Sequence, residues 1–70
     1  MNKYEFRAEM ARHGDSNLSL AKALNISAVS LSKKINSKVG FKQGEIAFII
    51  ERYQLSPDDI DRIFFAQTVS

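Results

Sequence analysis

The feature that most constrains this chain is a pair of apolar patterns separated by only about three residues, in the segment SNLSLAKALNISAVSLSKKI that begins at Ser16. Each pattern has the spacing of one buried helix face. Asn25 tolerates the left-handed backbone that ends the first helix of the pair, while Ser16 and Ser27 can cap the two helices. Because so short a turn forces the helices to a steep angle, the second can protrude while the first braces it. The predicted inward positions are Leu20, Ala21, Leu24, Ile26, Leu31 and Ile35.

Helix signals also fill the rest of the chain, so residues 1–70 are predicted to form a single all-α domain of five short helices. Asn2 and Glu5 have the spacing of a cap and its partner, and Gly14 supplies a left-handed stop, which places the first helix at about residues 3–13. The stretch NSKVGFKQG has two glycines and no apolar periodicity, which predicts a loop. Ser56 and Pro57 then start the fifth helix. The predicted buried positions of the last two helices are Ile46, Ile49, Ile50, Tyr53, Ile60, Ile63 and Phe64.

The composition excludes several classes of protein. No cysteine is present, so neither a disulfide framework nor a thiolate metal site is available. A hydrophobic content of 44% argues for a packed domain rather than a disordered tail. Apolar residues nowhere run together over the roughly eighteen positions that a membrane helix needs. The sequence therefore predicts a soluble protein of the cytosol, with no targeting segment and no membrane partner.

Candidates for catalysis or metal binding are few. His13 is the single histidine, Glu9 is the one acid at helical spacing from it, and neither a nucleophile nor an orienting partner is recognisable. The loop sequence VGFKQG lacks the lysine-serine ending of a phosphate loop. Asp58, Asp59 and Asp61 are interpreted as first-turn carboxylates on an exposed helix face. We therefore predict no enzymatic activity, no metal, no cofactor and no small-molecule substrate.

The charged residues are unevenly distributed along the chain, although the net charge is only +2. Residues 18–44 contain five lysines and no acid, whereas residues 45–70 contain five acids and two basic residues. A purely cationic section is what a polyanion-binding face needs, because each lysine near a phosphate releases condensed counterions. The alternative interpretation is a solvated lysine-rich surface. The five lysines are Lys22, Lys33, Lys34, Lys38 and Lys42.

The ordered pattern LA..L.IS...LS..I, taken with a polar residue three positions before it, resembles the phage repressor and Cro class of helix-turn-helix regulators. The resemblance extends over nearly the whole chain and is strongest to a small phage-encoded subgroup. It implies a lambda-repressor-like fold of five helices, with the helix-turn-helix at about residues 16–36. Asn25 stands where the class usually has glycine, and Asn17 stands where it commonly has a glutamine that bonds a phosphate. The matching positions are Asn17, Leu20, Ala21, Leu24, Asn25, Ile26, Ser27, Leu31 and Ser32.

The resemblance also implies that the helix from Ser27 to about Asn36 reads DNA. With Leu31 pointing to the core, a rotation of about 100° per residue brings four side chains to the outer side. Together with the cap, the candidates for contact with base edges are Ser27, Ala28, Val29, Ser32 and Lys33. The candidates for phosphate contact are Asn17, Lys22, Lys38 and Lys42, along with backbone N–H groups at the starts of the second and fourth helices.

Several large apolar residues lie off the predicted buried faces. Phe48 projects from the opposite side of the fourth helix, and Phe65 lies beside the stripe of the fifth. Leu18 and Val29 fall on the face that the resemblance turns towards DNA. An apolar side chain on the outer face either wraps under a chain end or belongs to an interface. Leu18, Val29, Phe48 and Phe65 are therefore candidate protein-interface residues.

Three functions remain open at this point. The first is a Cro-like regulator that binds operator DNA as a homodimer and represses a promoter in a bacteriophage genetic switch, with Phe48, Phe65 and the tail FFAQTVS as dimer contacts. The second is an antirepressor that keeps the same fold and forms a heteromer with a partner phage repressor through Leu18, Ala28 and Val29. The third is the DNA-binding half of an antitoxin, which needs a toxin partner.

Overall fold

The computed structural model describes residues 1–36 and 40–65, and it forms five α-helices. The fifth helix continues directly into a π-helical segment over Asp61–Phe65. No strand occurs in these described residues, so the predicted all-helical class is confirmed for them. The helices are α1 (Lys3–Arg12), α2 (Asn17–Leu24), α3 (Ala28–Asn36), α4 (Gln43–Tyr53) and α5 (Pro57–Ile60).

Four of the five described helices begin where a short polar side chain bonds the free N–H groups of the first turn; α4, which follows Lys42, is the exception. Asn2 Oδ1 accepts hydrogen bonds from the N–H groups of Tyr4 and Glu5 at 3.1 and 3.2 Å. Ser16 and Ser19 bond each other's backbone N–H groups reciprocally, and Ser56 does the same with Asp59. Ser27 Oγ accepts from the N–H of Ser30 at 3.0 Å. The predicted caps at positions 2, 16, 27 and 56 are therefore confirmed.

Two helices end on a non-glycine residue in the left-handed region. Asn25 ends α2 with a φ of 60°, as predicted, and Gln54 ends α4 with a φ of 51°, which the sequence did not indicate. Glutamine has no local preference for this conformation, which costs roughly 1 to 2 kcal/mol. The turn carries Leu55 into the core, where its N–H donates to the carbonyl of Ile50 at 3.0 Å. Burial of the Leu55 side chain offsets the local cost of the turn.

The core draws side chains from α1 to α4, from Leu55 in the turn after α4 and from the π-helical segment. The predicted inward positions are fully buried at Leu20, Leu31 and Ile49, whereas Ile26 and Ile46 are only half-buried against the core. Buried apolar residues of the described chain are Phe6, Met10, Leu20, Ala21, Leu31, Ile35, Ile49, Tyr53, Leu55, Ile63 and Phe64. Leu24, Ala28, Phe41, Ile50 and Ile60 also pack against them.

Phe41 is a core contact that the loop prediction missed. Its ring stacks on Phe6 with centroids 5.2 Å apart and meets the edge of Phe64 at 6.4 Å. Phe6 also contacts Phe64, at 6.1 Å. The three rings join the start of α1, the segment before α4 and the end of the described chain. Residues 40–42 are not helical, as predicted, yet the Phe41 side chain among them packs against the core. Asn36, Gln43 and Gly44 of the predicted loop belong to α3 and α4, and residues 37–39 lie outside the described residues.

Polar groups also connect residues near the two ends of the described chain. The backbone N–H of Asn2 donates to the carbonyl of Ile63 at 2.8 Å. Arg62 bonds Glu5 on α1 and Asp59 on α5, the latter at 2.7 Å. The Arg62 guanidinium and the Ser56 cap lower the pKa of Asp59 to about 2. Asp58 and Asp59 lie in the first turn of α5, as predicted, whereas Asp61 begins the π-helical segment; Asp59 differs from the predicted exposed carboxylate in being half-buried and paired with Arg62.

Asp15 connects the turn before α2 to the end of α4. Its carboxylate accepts from Arg52 Nε and Nη2 at 2.8 and 2.9 Å, from the Tyr53 hydroxyl at 2.6 Å and from Ser19 Oγ at 2.7 Å. Only 7% of the Asp15 side chain is exposed. The Arg52 hydrogen bonds, followed by those of Tyr53 and Ser19, outweigh burial and hold the pKa of Asp15 well below its usual range. This cluster fixes where α2 begins.

Replacement of Asp15 by asparagine is expected to lower the free energy of unfolding at pH 7 by about 2 kcal/mol, because hydrogen bonds to an ionised group are lost. A carboxylate whose pKa is depressed by folding stabilises the protein above its unfolded pKa, and this contribution disappears as the pH falls towards the folded pKa. The difference between wild type and Asp15→Asn should therefore shrink from about pH 5 to about pH 2. Urea denaturation across this range measures it, with the exposed Asp61→Asn as control. An unchanged difference at every pH would contradict the role of the Asp15 charge.

Candidate nucleic-acid interface

The two helices that the sequence singles out are joined by a turn of three residues. α2 ends at Leu24 and α3 begins at Ala28. Within the turn, the N–H of Ile26 donates to the carbonyl of Ala21 at 2.9 Å, which closes the end of α2. Leu31 and Ile35 then anchor one side of α3 in the core, and both are buried. This anchoring leaves the other side of α3 on the protein surface.

The outer side of α3 carries the residues predicted to meet base edges. The Val29 side chain is 66% exposed, and Lys33 and Ser27 are also exposed. Ser32 is half-buried, as is Ala28, which packs partly against the core and is thus less outward than predicted. The side chains that line a shallow concavity here are Ala28, Val29, Ser32, Lys33 and Asn36.

Asn36 belongs to this surface although the sequence did not single it out. Its Nδ2 donates to the carbonyl of Ser32 at 3.0 Å, which places the amide beside the last turn of α3. The spacing along the sequence could have identified Asn36, since it lies four residues after Ser32 and three after Lys33, and residues so spaced share one side of a helix. Asn36 is therefore added to the candidate contact residues.

A second concavity lies between α2 and α3, next to the first. Leu18 borders it and is 70% exposed, the largest exposure among the large apolar residues after that of Tyr4 in the described chain. Ala28 lines both concavities, so Leu18 and Val29 stand on neighbouring parts of one surface. Lys22 and Ser27 line the same groove. We call the surface formed by Leu18, Lys22, Ser27, Ala28, Val29, Ser32, Lys33 and Asn36 the α2–α3 face.

The lysines of the cationic section differ in their exposure and in their ion pairing. Lys22, Lys33 and Lys42 are exposed. Lys34 is instead paired with Glu45 of α4 at 3.1 Å, and both side chains are largely buried. Burial would raise the pKa of Glu45, but the Lys42 N–H and the Lys34 ammonium outweigh it and lower that pKa. Lys34 is thus partly neutralised by an acid from outside the cationic section.

Asn17 and Ser32, predicted to contact phosphate and base edges respectively, also contact each other. Asn17 Nδ2 donates to Ser32 Oγ at 2.9 Å. The bond links the first residue of α2 to the middle of α3. Sequence reasoning treated the two residues as separate contacts, because fifteen positions lie between them and no local pattern couples them.

The remaining candidates are placed elsewhere or lie outside the described residues. Phe48 on α4 and Phe65 in the π-helical segment are exposed, as predicted. Lys42 immediately precedes α4, where its N–H donates to Glu45. The predicted phosphate contact Lys38 lies outside the described residues, as do residues 66–70 of the predicted dimer tail.

His13 has a packing role in the structure. Its ring stacks on Tyr53 with centroids 4.7 Å apart, and its Nε2 lies 3.4 Å from Glu9 Oε2. Across residues 1–36 and 40–65, no group of three or more His, Cys, Asp or Glu side chains is placed to hold a metal ion. None of the helices in that part of the chain is long and apolar enough to cross a membrane.

The described residues thus define a small all-helical protein in which α2 and α3 share an exposed face of apolar, hydroxyl and cationic groups. Residues 4–67 match the model of the family described as Protein of unknown function (DUF739), and the chain belongs to this family. Searches of curated proteins and of solved structures give no match.

Proposed function

We propose that this chain is a small Cro-like transcriptional regulator of a phage or prophage switch, which binds double-stranded DNA through the outer side of α3. The observation that carries the proposal is the way α3 is presented. It follows α2 after three residues, is anchored by Leu31 and Ile35, and exposes Val29 and Lys33. Helix-turn-helix proteins place a second helix in the major groove in this manner.

The dimensions of α3 agree with this role. Its nine residues give a length of about 13 Å at about 1.5 Å per residue. The major groove of B-DNA is about 12 Å wide and admits one α-helix. A helix of this length therefore reaches only a few base pairs, so a second copy of the chain on a half-site about 34 Å away is expected to complete the operator.

The charges around the α2–α3 face suit phosphate contact. Lys22 and Lys33 lie on the face itself, and residues 18–44 contain no acid that would repel DNA. Lysine contacts of this kind give affinity without sequence preference. Sequence preference would come from Lys33 at guanine and from Val29 at a thymine methyl group. Occupation of a promoter by the bound protein would then exclude polymerase without a cofactor.

A second candidate function is favoured by the apolar residues of the same face. Leu18 and Val29 are both about two-thirds exposed, on either side of Ala28. Paired exposed apolar side chains are typical of protein-binding surfaces. An antirepressor would use them to dock on the DNA-binding domain of a partner repressor. Both functions use one face, so DNA and the repressor would compete for it.

Lysine substitutions test DNA binding through the salt dependence of affinity. Lys22→Gln and Lys33→Gln are each expected to weaken binding to random-sequence duplex DNA and to reduce the slope of log affinity against log salt by about 1. Fluorescence anisotropy between low and physiological salt measures both quantities. Lys3→Gln makes the same charge change on α1 and should leave the slope unchanged. Absence of binding by the wild-type chain at low salt would rule out the proposed function.

A further inference from the structure

The Asn17–Ser32 hydrogen bond restricts what Ser32 can offer to a partner. A serine hydroxyl has one hydrogen to donate and lone pairs that accept. Asn17 Nδ2 already donates to Ser32 Oγ at 2.9 Å, so one of the two lone pairs of the hydroxyl is engaged from within the protein. Among the described residues, no acceptor is hydrogen-bonded to the Ser32 hydroxyl hydrogen. This hydrogen therefore remains for an outside partner.

The position of Ser32 directs that hydrogen towards the α2–α3 face. Ser32 lines the concavity of α3 together with Val29 and Lys33, and it is half-buried rather than freely rotating in solvent. Lys33 can only donate, since an ammonium has no lone pair. Ser32 and Lys33 thus both present donors to this concavity, beside the apolar Val29.

We propose that Asn17 is a positioning residue that makes Ser32 a hydrogen-bond donor towards DNA. This inference rests on the proposed function and deepens it to a base preference. A donor at Ser32 can bond guanine at O6 or N7, thymine at O4 and adenine at N7, and it disfavours cytosine, whose major-groove edge presents an N4 donor. Val29 adds to the preference for thymine through its methyl group. At the position that faces Ser32, the operator is therefore expected to carry guanine or thymine in preference to cytosine.

The inference is tested by selecting duplexes from a randomised pool with the full chain and then measuring single-base-pair variants of the selected site by competition. At one position, wild type is expected to prefer guanine or thymine over cytosine by roughly fivefold, the value of one net hydrogen bond of about 1 kcal/mol. Ser32→Ala should remove this preference. Asn17→Ala should reduce it, because the hydroxyl can then turn its lone pairs to the base.

Asn17→Asp is the most informative variant, because it keeps the size of the side chain and reverses which of the two residues donates the hydrogen bond. A carboxylate can only accept, so it takes the Ser32 hydrogen and leaves the lone pairs facing the base. The preference at this position should then move towards cytosine. The added negative charge lowers affinity for every sequence, so the ratio of affinities at one low salt concentration is the readout. Lys22→Gln is the matched control, because it should weaken all duplexes without changing any ratio.

The outcomes separate the inference from the proposed function. Retention of the guanine or thymine preference by Asn17→Asp, or of every preference by Ser32→Ala, overturns the inference while DNA binding stands. Failure of the wild-type chain to bind any duplex at low salt overturns the proposed function, and the inference with it. Circular dichroism of each variant checks that the helices of the described fold are retained.

Discussion

Val29→Asp is expected to weaken duplex DNA binding by more than about 100-fold, because in the proposed complex it places a carboxylate against phosphates and base acceptors. Apposition of like charges at an interface costs several kcal/mol, and about 2.7 kcal/mol corresponds to a factor of about 100. The substitution also removes the apolar contact with a thymine methyl group. Anisotropy at low salt, where the wild-type chain binds most tightly, measures the loss.

The same variant should remain folded. Val29 is 66% exposed, and exposed substitutions change the free energy of unfolding by about 0.5 kcal/mol or less. Gln54→Glu is the matched control, since it adds one negative charge at an exposed position after α4. Wild-type DNA affinity in Val29→Asp, or an equal loss in Gln54→Glu, would contradict the assignment of the α2–α3 face.

Val29→Asp also separates the two candidate functions when it is compared with Lys33→Gln. If the α2–α3 face binds a repressor, Val29→Asp should break a one-to-one heteromer in size exclusion. Lys33→Gln should leave that heteromer intact, because the contact there is mainly apolar. If DNA is the partner, both variants weaken binding to the duplex, because each makes the charge of the α2–α3 face less positive.

Phe6→Ala is expected to remove most of the stability of the protein. Phe6 is 1% exposed and contacts both Phe41 and Phe64. Truncation of a buried phenylalanine to alanine costs about 3 to 5 kcal/mol, through lost burial and the cavity left behind. A chain of 70 residues has a free energy of unfolding of roughly 4 to 10 kcal/mol in total. Urea denaturation should therefore show a midpoint far below that of wild type.

Tyr4→Ala is the control for this loss. Tyr4 is also an aromatic residue of α1 but is exposed, so its truncation should move the urea midpoint little. Phe6→Leu should fall between the two, because it retains most of the buried volume. A midpoint for Phe6→Ala equal to that of Tyr4→Ala would contradict the three-ring contact as the centre of the core.

Features that the sequence predicted are those set by neighbours along the chain. The caps at Ser16 and Ser56 depend on bonds within one turn, and the left-handed Asn25 depends on its own side chain. The buried faces of α3 and α4 follow from a spacing of three and four residues. Local rules were sufficient for each of these features, and they also indicated that Val29 is exposed.

Features that the sequence missed depend on residues far apart in the chain. Phe41 lies in a stretch without periodicity and is partly buried because its ring contacts those of Phe6 and Phe64. Gln54 adopts a left-handed conformation that allows the next residue, Leu55, to be buried in the core, and no local preference encodes this packing effect. The Asn17–Ser32 bond likewise appears only once α2 and α3 are folded together. The residues of the α2–α3 face, apart from Asn36, were thus predictable one by one, whereas the hydrogen bond between Asn17 and Ser32 was not.

The most direct measurement is an NMR titration of the isotopically labelled chain with a short duplex at low salt. If the α2–α3 face binds DNA, the largest amide shift changes should fall on residues 16–33, including Leu18, Ser27 and Val29, and should fade as salt is added. Residues of α5 should change little, since that helix carries Asp58 in its exposed first turn. Absence of shift changes at low salt, or changes centred on α4 and α5, would contradict DNA binding by the α2–α3 face.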